Sequence, residues 1–292
     1  MKVLDDIFYA VKVGDIAGVK KFLEAGADIN AKGRDNQTPL HTACLCGNAA
    51  IARYLLEAGA DVNIVNGLHN TPLHLACEGD GHTEIARMLI EAGADVNTKN
   101  SAASGKTPLH AACWQGYSDI VRLFIEAEAD VNVRNANSNT PLHLACQRGH
   151  VDIIRLLLDH GADSNARGFR NDTPLHWACR VGHAGITKLL LDHGAEADVK
   201  NSVGETPLRI ASRPGCIELL AVLIAHGAVK DGGAAVPDLT GEISMPLDIA
   251  IKSSDPDTAK EREAIIDWYR EHHPEIVMEA FCTASMSPGG TR

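Results

Sequence analysis

Thr140-Pro141-Leu142-His143-Leu144-Ala145-Cys146-Gln147-Arg148-Gly149-His150-Val151-Asp152-Ile153-Ile154-Arg155-Leu156-Leu157-Leu158-Asp159-His160-Gly161-Ala162-Asp163 writes two short helices and a turn. Thr140 suits an N-cap, where its hydroxyl accepts from free backbone amides, and Pro141 suits the first helical position, where no amide partner is lost. Gly149 ends the first helix. Asp152 sits near the next start, and Ile153, Ile154, Leu156, Leu157 and Leu158 give the second helix a broad apolar face. Gly161 stops that helix in the left-handed conformation that glycine adopts without a Cβ penalty. A hairpin-like turn from Asp163 to Asn171 then leads to the next threonine.

The same words recur along the chain. Thr-Pro-Leu-His starts at Thr38, Thr71, Thr107, Thr140 and Thr173, and Thr206-Pro207-Leu208-Arg209 is a sixth, altered copy. Successive threonines lie 33, 36, 33, 33 and 33 residues apart. A fixed period of this size marks a supersecondary unit that is stacked because it cannot bury its apolar face alone. The spacing therefore predicts an all-α solenoid of helix-turn-helix units, whose function is a matter of surface.

The 292 residues are read as one array over 5–273, in repeats 5–37, 38–70, 71–106, 107–139, 140–172, 173–205, 206–244 and 245–273, followed by a flexible tail, 274–292. The first unit lacks Thr-Pro-Leu-His but keeps Ala10, Gly14 and Gly26 in register, so it reads as an N-terminal cap. Met245-Pro246-Leu247-Asp248-Ile249-Ala250 opens a C-terminal cap, with Asp255-Pro256 starting a charged helix over 258–272. Between them Val229 to Ser244, rich in Gly and Pro, reads as a mobile loop.

Composition narrows the function. The chain is 45% hydrophobic but only 4% aromatic, as thin helix-on-helix layers of Leu, Ile, Val and Ala require. Its formal charge of -11 opposes nonspecific attraction to nucleic acid and to anionic membranes. With no long apolar run and no signal-like start, an intracellular location is expected, cytoplasmic with the nucleus as the alternative. Cys44, Cys77, Cys113, Cys146 and Cys179 share one register and form a ladder. Packed helices lie about 8–10 Å apart, too far for the about 7 Å limit of a disulfide, so these thiols are expected to be free and buried.

His and Cys three apart, such as His143 and Cys146, have a metal-compatible spacing. Each repeat offers only two ligands where structural zinc takes four, so no metal is expected. No phosphate-cradling glycine motif, nucleophile elbow or His-Glu-x-x-His sequence is present, and neither catalysis nor a cofactor is expected.

The Thr-Pro-Leu-His-x-Ala copies, the Gly-His that follows, the Leu-Leu run and Gly93-Ala94-Asp95-Val96-Asn97 resemble the ankyrin repeat over about nine-tenths of the chain. The resemblance implies L-shaped repeats with projecting β-hairpin-like turns, and a concave face of turn tips and first helices that binds another protein. It implies that the repeat histidines tie adjacent turns together, a tie weakened at Arg209. It also implies variable surface positions just before the threonine and at the end of the first helix. There the chain carries Trp114, Arg148, Phe169, Arg170, Arg180 and Arg213, residue types enriched at interface centres. They are the candidate partner-binding residues, and in an acidic protein they point to an acidic segment as the partner. An inhibitor or adaptor subunit in a signalling or ubiquitin-ligase complex, or a targeting subunit of an enzyme, would use the same surface. Asn63, Asn97, Asn132 and Asn165 match turn positions that the resemblance makes targets for asparaginyl hydroxylation, beside their ordinary role in turn hydrogen bonding.

Trp177 stands where Leu75, Leu144 and Ile210 stand elsewhere and is expected in the core. Glu128 takes the register of Gly93 and Gly161, so its turn is expected to be strained. Two insertions fall in the repeat from Thr71, one residue at Glu78 to Gly81 and two between Thr98 and Lys106. Nothing in the sequence favours one oligomeric state.

Overall fold

A computed structural model describes residues 2–79, 81–101, 103–212, 217–228, 250 and 259–272. Arg213, the loop from Val229 to Ser244, the Asp255-Pro256 cap and the tail 274–292 lie outside the described residues. The described residues contain helices and turns but no strand. None of their helices is long and apolar enough to cross a membrane.

The chain divides into two compact units, Met1–Asp163 and Ser164–Arg292. Unit 1 holds five helix pairs: α1 (Lys2–Val13) with α2 (Ile16–Glu24), α3 (Pro39–Cys46) with α4 (Ala49–Glu57), α5 (Pro72–Ala76) with α6 (Thr83–Glu91), α7 (Pro108–Gln115) with α8 (Ser118–Glu126), and α9 (Pro141–Arg148) with α10 (Val151–Asp159). First helices pack on first helices, in the order α1, α3, α5, α7, α9, and second helices on second helices. Unit 2 holds α11 (Pro174–Val181) with α12 (Ala184–Asp192), α13 (Pro207–Ala211) with α14 (Ile217–Ala225), and α15 (Ala259–His272), which packs on α14. This is the all-α stacking that the period predicts.

One device starts nearly every first helix. Thr38, Thr71, Thr107, Thr140 and Thr173 cap α3, α5, α7, α9 and α11, each with proline next and a reciprocal histidine at the third helical position. The threonine N–H donates to histidine Nδ1 at 3.1–3.2 Å. Nδ1 is thus an acceptor, so Nε2 carries the proton and donates to a carbonyl of the following turn. His41 reaches Asn70 O at 2.9 Å, His74 reaches Lys106 O at 3.0 Å, His110 reaches Asn139 O at 3.0 Å and His176 reaches Glu205 O at 3.1 Å. One imidazole both caps its helix and fastens the next repeat, which leaves neither ring nitrogen for a metal.

The cysteine ladder is buried as expected. Cys44, Cys77, Cys113, Cys146 and Cys179 form no disulfide and have no exposed surface, and burial alone pushes Cys44, Cys113 and Cys146 far above the ordinary thiol range. They act as small apolar residues beside Leu40, Leu73, Leu109, Leu142 and Leu175. Leu55, Leu89, Phe124, Leu157 and Leu190 seal the second-helix layer from α4, α6, α8, α10 and α12. Fully burying each such side chain is worth about 1.5–3 kcal/mol.

The turns are joined by backbone and by asparagine. In unit 1 the N–H of Gly67 donates to Asp35 O, Ser101 to Leu68 O and Ala136 to Ser104 O; in unit 2 Ser202 donates to Arg170 O. A second ladder runs through Asn30, Asn63, Asn97 and Asn132, whose Oδ1 atoms accept from the N–H of Asp61, Asp95, Asp130 and Asp163 at 2.8–3.0 Å. Asn165 does the same for Glu196 in unit 2.

Two sequence departures take definite form. Glu128 has φ of 57°, left-handed as its register requires. In the repeat that carries the first insertion α5 has five residues, against eight in α3, α7 and α9. Tyr117 meets this stretch, its ring against Gly81 and its hydroxyl donating to Gly79 O.

Candidate functional site

Trp114 sits at the end of α7, half-buried, with its carbonyl 3.3 Å from His150 Nε2. Two cations lie over its indole: Arg148 Cζ at 4.8 Å and Lys106 Nζ at 5.9 Å from a ring centroid. Lys106 comes from the turn before Thr107, and Arg148 from the end of α9 in the next repeat. Stacking of this kind contributes about 0.5–1 kcal/mol at an exposed site and also fixes where the positive charge stands. Glu78, at the register of Trp114 one repeat earlier, is half-buried. Desolvation raises its carboxyl above the ordinary value, and the nearby Lys106 ammonium lowers it. The site is thus an aromatic plate with guanidinium and ammonium groups beside it.

Unit 2 carries the other candidates. Phe169 and Arg170 form the tip of the turn before Thr173, where Phe169 is 48% exposed and Arg170 Cζ lies 5.4 Å from its ring. The tip is a single 3-10 turn with Arg170 and Asn171 at φ of 57° and 56°. Turns at Asn66, Asn135 and Asn201 are built differently. There the asparagine, itself buried, accepts with Oδ1 from two later amides, as Asn135 does from Asn137 and Asn139. Gly168 takes the same place before Thr173 and has no side chain to cap with, so the chain turns through two left-handed residues instead.

Arg180, a candidate partner-binding residue, is paired within its own repeat. Its Nη1 lies 2.7 Å from Asp172 Oδ2, its Nη2 lies 3.8 Å from Glu205 Oε2, and its Cζ is 4.9 Å from the Trp177 ring. Asp172 is buried and takes a second hydrogen bond from Asn201 Nδ2 at 2.8 Å. A buried carboxylate needs such company, because desolvating it alone is costly. Arg180 supplies that company while keeping about one-third of its side chain exposed. Trp177 also differs from its expected core place: it is half-buried, with Arg180 over its ring, and its Nε1 is buried with no hydrogen-bond partner among the described residues. A leucine cannot carry a guanidinium on its face, whereas this indole holds that of Arg180, three residues on.

What the sequence reading missed lies in the first repeat. Phe8 stands in the register of His41, and Lys12 in that of Leu45 and Trp114. The 33-residue offset was the signal available.

Comparison with known proteins agrees with this construction. The family model described as Ankyrin repeats (3 copies) matches residues 7–100, 98–168 and 165–233. No curated protein sequence matches the chain. Among solved structures, the human ASB11 ankyrin repeat domain is similar, with 29% sequence identity and a TM-score of 0.68, over 78% of this chain and 99% of that one. Ankyrin repeats are in general protein-protein interaction modules. With the period, the caps, the histidine ties and the family match in agreement, the chain belongs to the ankyrin-repeat family.

Proposed function

We propose that this protein is a non-catalytic scaffold, one array over 5–273, that binds another protein through its turn tips and first-helix ends. The contact residues are Trp114, Lys106 and Arg148 in unit 1 and Phe169 and Arg170 in unit 2. Arg213 belongs to the proposal on register alone. Arg180 supports its surroundings by neutralising Asp172. The observation that carries this reading is Trp114, left half-exposed on the variable register with two cations over it, in a chain of charge -11. Those cations favour an acidic partner segment, by setting local positive charge against a chain of net charge -11.

Co-purification from native lysate with wild type and with a Trp114→Ala, Arg148→Ala variant tests it. The partner recovered with wild type is then titrated against both proteins at low and moderate salt. The variant is expected to bind at least tenfold more weakly and with a flatter salt dependence. Equal affinity and equal salt response would refute the assignment.

A further inference from the structure

From the first repeat we infer that unit 1 carries a second docking site, distinct from Trp114. Its occupant is an extended segment of a partner protein with one large apolar side chain beside a carboxylate. Phe8 explains why the site exists. At its register His41, His74 and His110 reach the next turn with Nε2, but a phenyl ring has no donor. It packs on the turn instead: a Cβ at Gly33 would lie 2.8 Å from two Phe8 ring carbons, so only glycine lets the ring settle there.

Gly33 also occupies the place of the capping asparagines Asn66 and Asn135. Its turn accordingly adopts the 3-10 form of the Gly168 turn, with Asp35 and Asn36 at φ of 55°. That conformation leaves Arg34 at the rim, with 97% of its side chain exposed. The result is an open cleft of about 270 Å³ lined by Phe8, Tyr9, Lys12, Arg34, Gln37 and Thr42. Tyr9, one wall, is 68% exposed.

Size and charge choose the occupant. Pockets for small molecules and cofactors run from about 300 to 1,000 Å³, so this cleft suits one side chain better than a whole ligand. Lys12 and Arg34 supply positive charge at a partly aromatic cleft. Asp35 lies 3.9 Å from Arg34 Nε, but exposed pairs of that kind are weak and leave the guanidinium able to exchange its carboxylate. A second copy of the chain is a poorer occupant, since two molecules of charge -11 repel each other.

The test uses the full chain, nitrogen-15 labelled, and three blocked peptides: Gly-Glu-Phe-Glu-Gly, Gly-Lys-Phe-Lys-Gly and Gly-Glu-Ala-Glu-Gly. The first is expected to shift the amide signals of Gly33, Arg34 and Gln37 saturably, and the other two to bind at least fivefold more weakly. Arg34→Glu and Tyr9→Ser, both at exposed side chains, should each weaken the first peptide at least fivefold, while Trp114→Ala changes it less than twofold. Equal binding of the lysine peptide, shifts centred on Trp114, or indifference to Tyr9→Ser would overturn the inference. So would concentration-dependent dimerisation abolished by Tyr9→Ser, which would make a second copy the occupant. Failure here leaves the Trp114 assignment standing, because that assignment is read from a different variant and a different partner.

Discussion

Nη1 of Arg180 lies 2.7 Å from Oδ2 of Asp172, whose side chain is 2% exposed. The arginine itself remains about one-third exposed, so water moderates what the pair contributes. Arg180→Ala leaves a buried carboxylate with the Asn201 amide and without its guanidinium. The expected loss is about 2 kcal/mol in urea unfolding, below the full cost of breaking a wholly buried pair. Asp172→Asn should restore most of it in the double variant, because Asn70 and Asn139 occupy this register in unit 1 and are buried there. If Arg180→Ala is neutral, or if the second substitution rescues nothing, Arg180 is not the counterion of Asp172. The same result bears on binding studies, since a stability loss at Arg180 would otherwise pass for a lost contact.

The histidine ties predict an acid-sensitive fold. Burial lowers His74 and His110 to about 4, and lowers His41 and His176 as well, against smaller raising effects from their backbone hydrogen bonds. Protonation would put a hydrogen on Nδ1 and displace the threonine N–H that donates to it. The unfolded chain takes these protons near pH 6.5, so below that pH it binds more protons than the native state. Stability from the ties is complete above about 6.5 and is lost as pH falls from there toward about 4. Thermal melts should therefore decline steadily between pH 6.5 and 5, above the range where ordinary carboxylates titrate. His110→Gln should reduce that slope. A flat profile across the window would mean that the native state accepts the protons and the tautomer assignment is wrong.

Most of the frame was legible because it rests on local chemistry repeated in register. Thr140 and Pro141 announce a helix start, Cys146 shares a register with four other buried thiols, and Glu128 stands where glycine stands elsewhere. Each is a statement about one residue and its period. The fate of the arginines was not legible in this way. Arg148 and Arg180 both lie in the last turn of a first helix, one position apart in register, yet one lies on the Trp114 indole and the other pairs with Asp172. Arg180 is drawn to a carboxylate eight residues before it, at a register where Asn70 and Asn139 are buried in unit 1. Phe8 escaped notice because the first repeat lacks the Thr-Pro-Leu-His words, and its role appears only when the histidine register is carried back 33 residues.

Glu128 offers a test by gain. Its φ of 57° puts an exposed, Cβ-bearing residue in the conformation held by Gly93 at 85° and Gly161 at 82°. Relieving the strain with Glu128→Gly is worth about 1 kcal/mol, or a rise of about 2–4 °C in Tm for a chain of this size. Glu128→Ala keeps the Cβ and should give little or none of that gain. If the two variants melt alike, the side chain rather than the backbone sets the cost.

The capped turn at Asn135 should be less forgiving than the glycine turns. Asn135 Oδ1 accepts from Asn137 N at 2.9 Å and from Asn139 N at 3.0 Å, and both Asn135 and Asn139 are buried. Asn135→Ala removes the acceptor and strands at least one buried amide, a loss of about 1–3 kcal/mol. Hydrogen exchange localises the effect: the Asn139 amide should lose protection at least tenfold while Leu157, deep in α10, changes only by the global shift. Asn135→Gly is the informative companion. Gly33 and Gly168 hold the same register in turns that close without a side-chain cap, so glycine should recover part of the stability if Asn137 and Ser138 can take up the double left-handed form. Ser138 already has φ of 60°, which leaves one residue to convert. Equal destabilisation by alanine and glycine would show that the two turn forms do not interchange, and that each tip is fixed by the residues outside the cap.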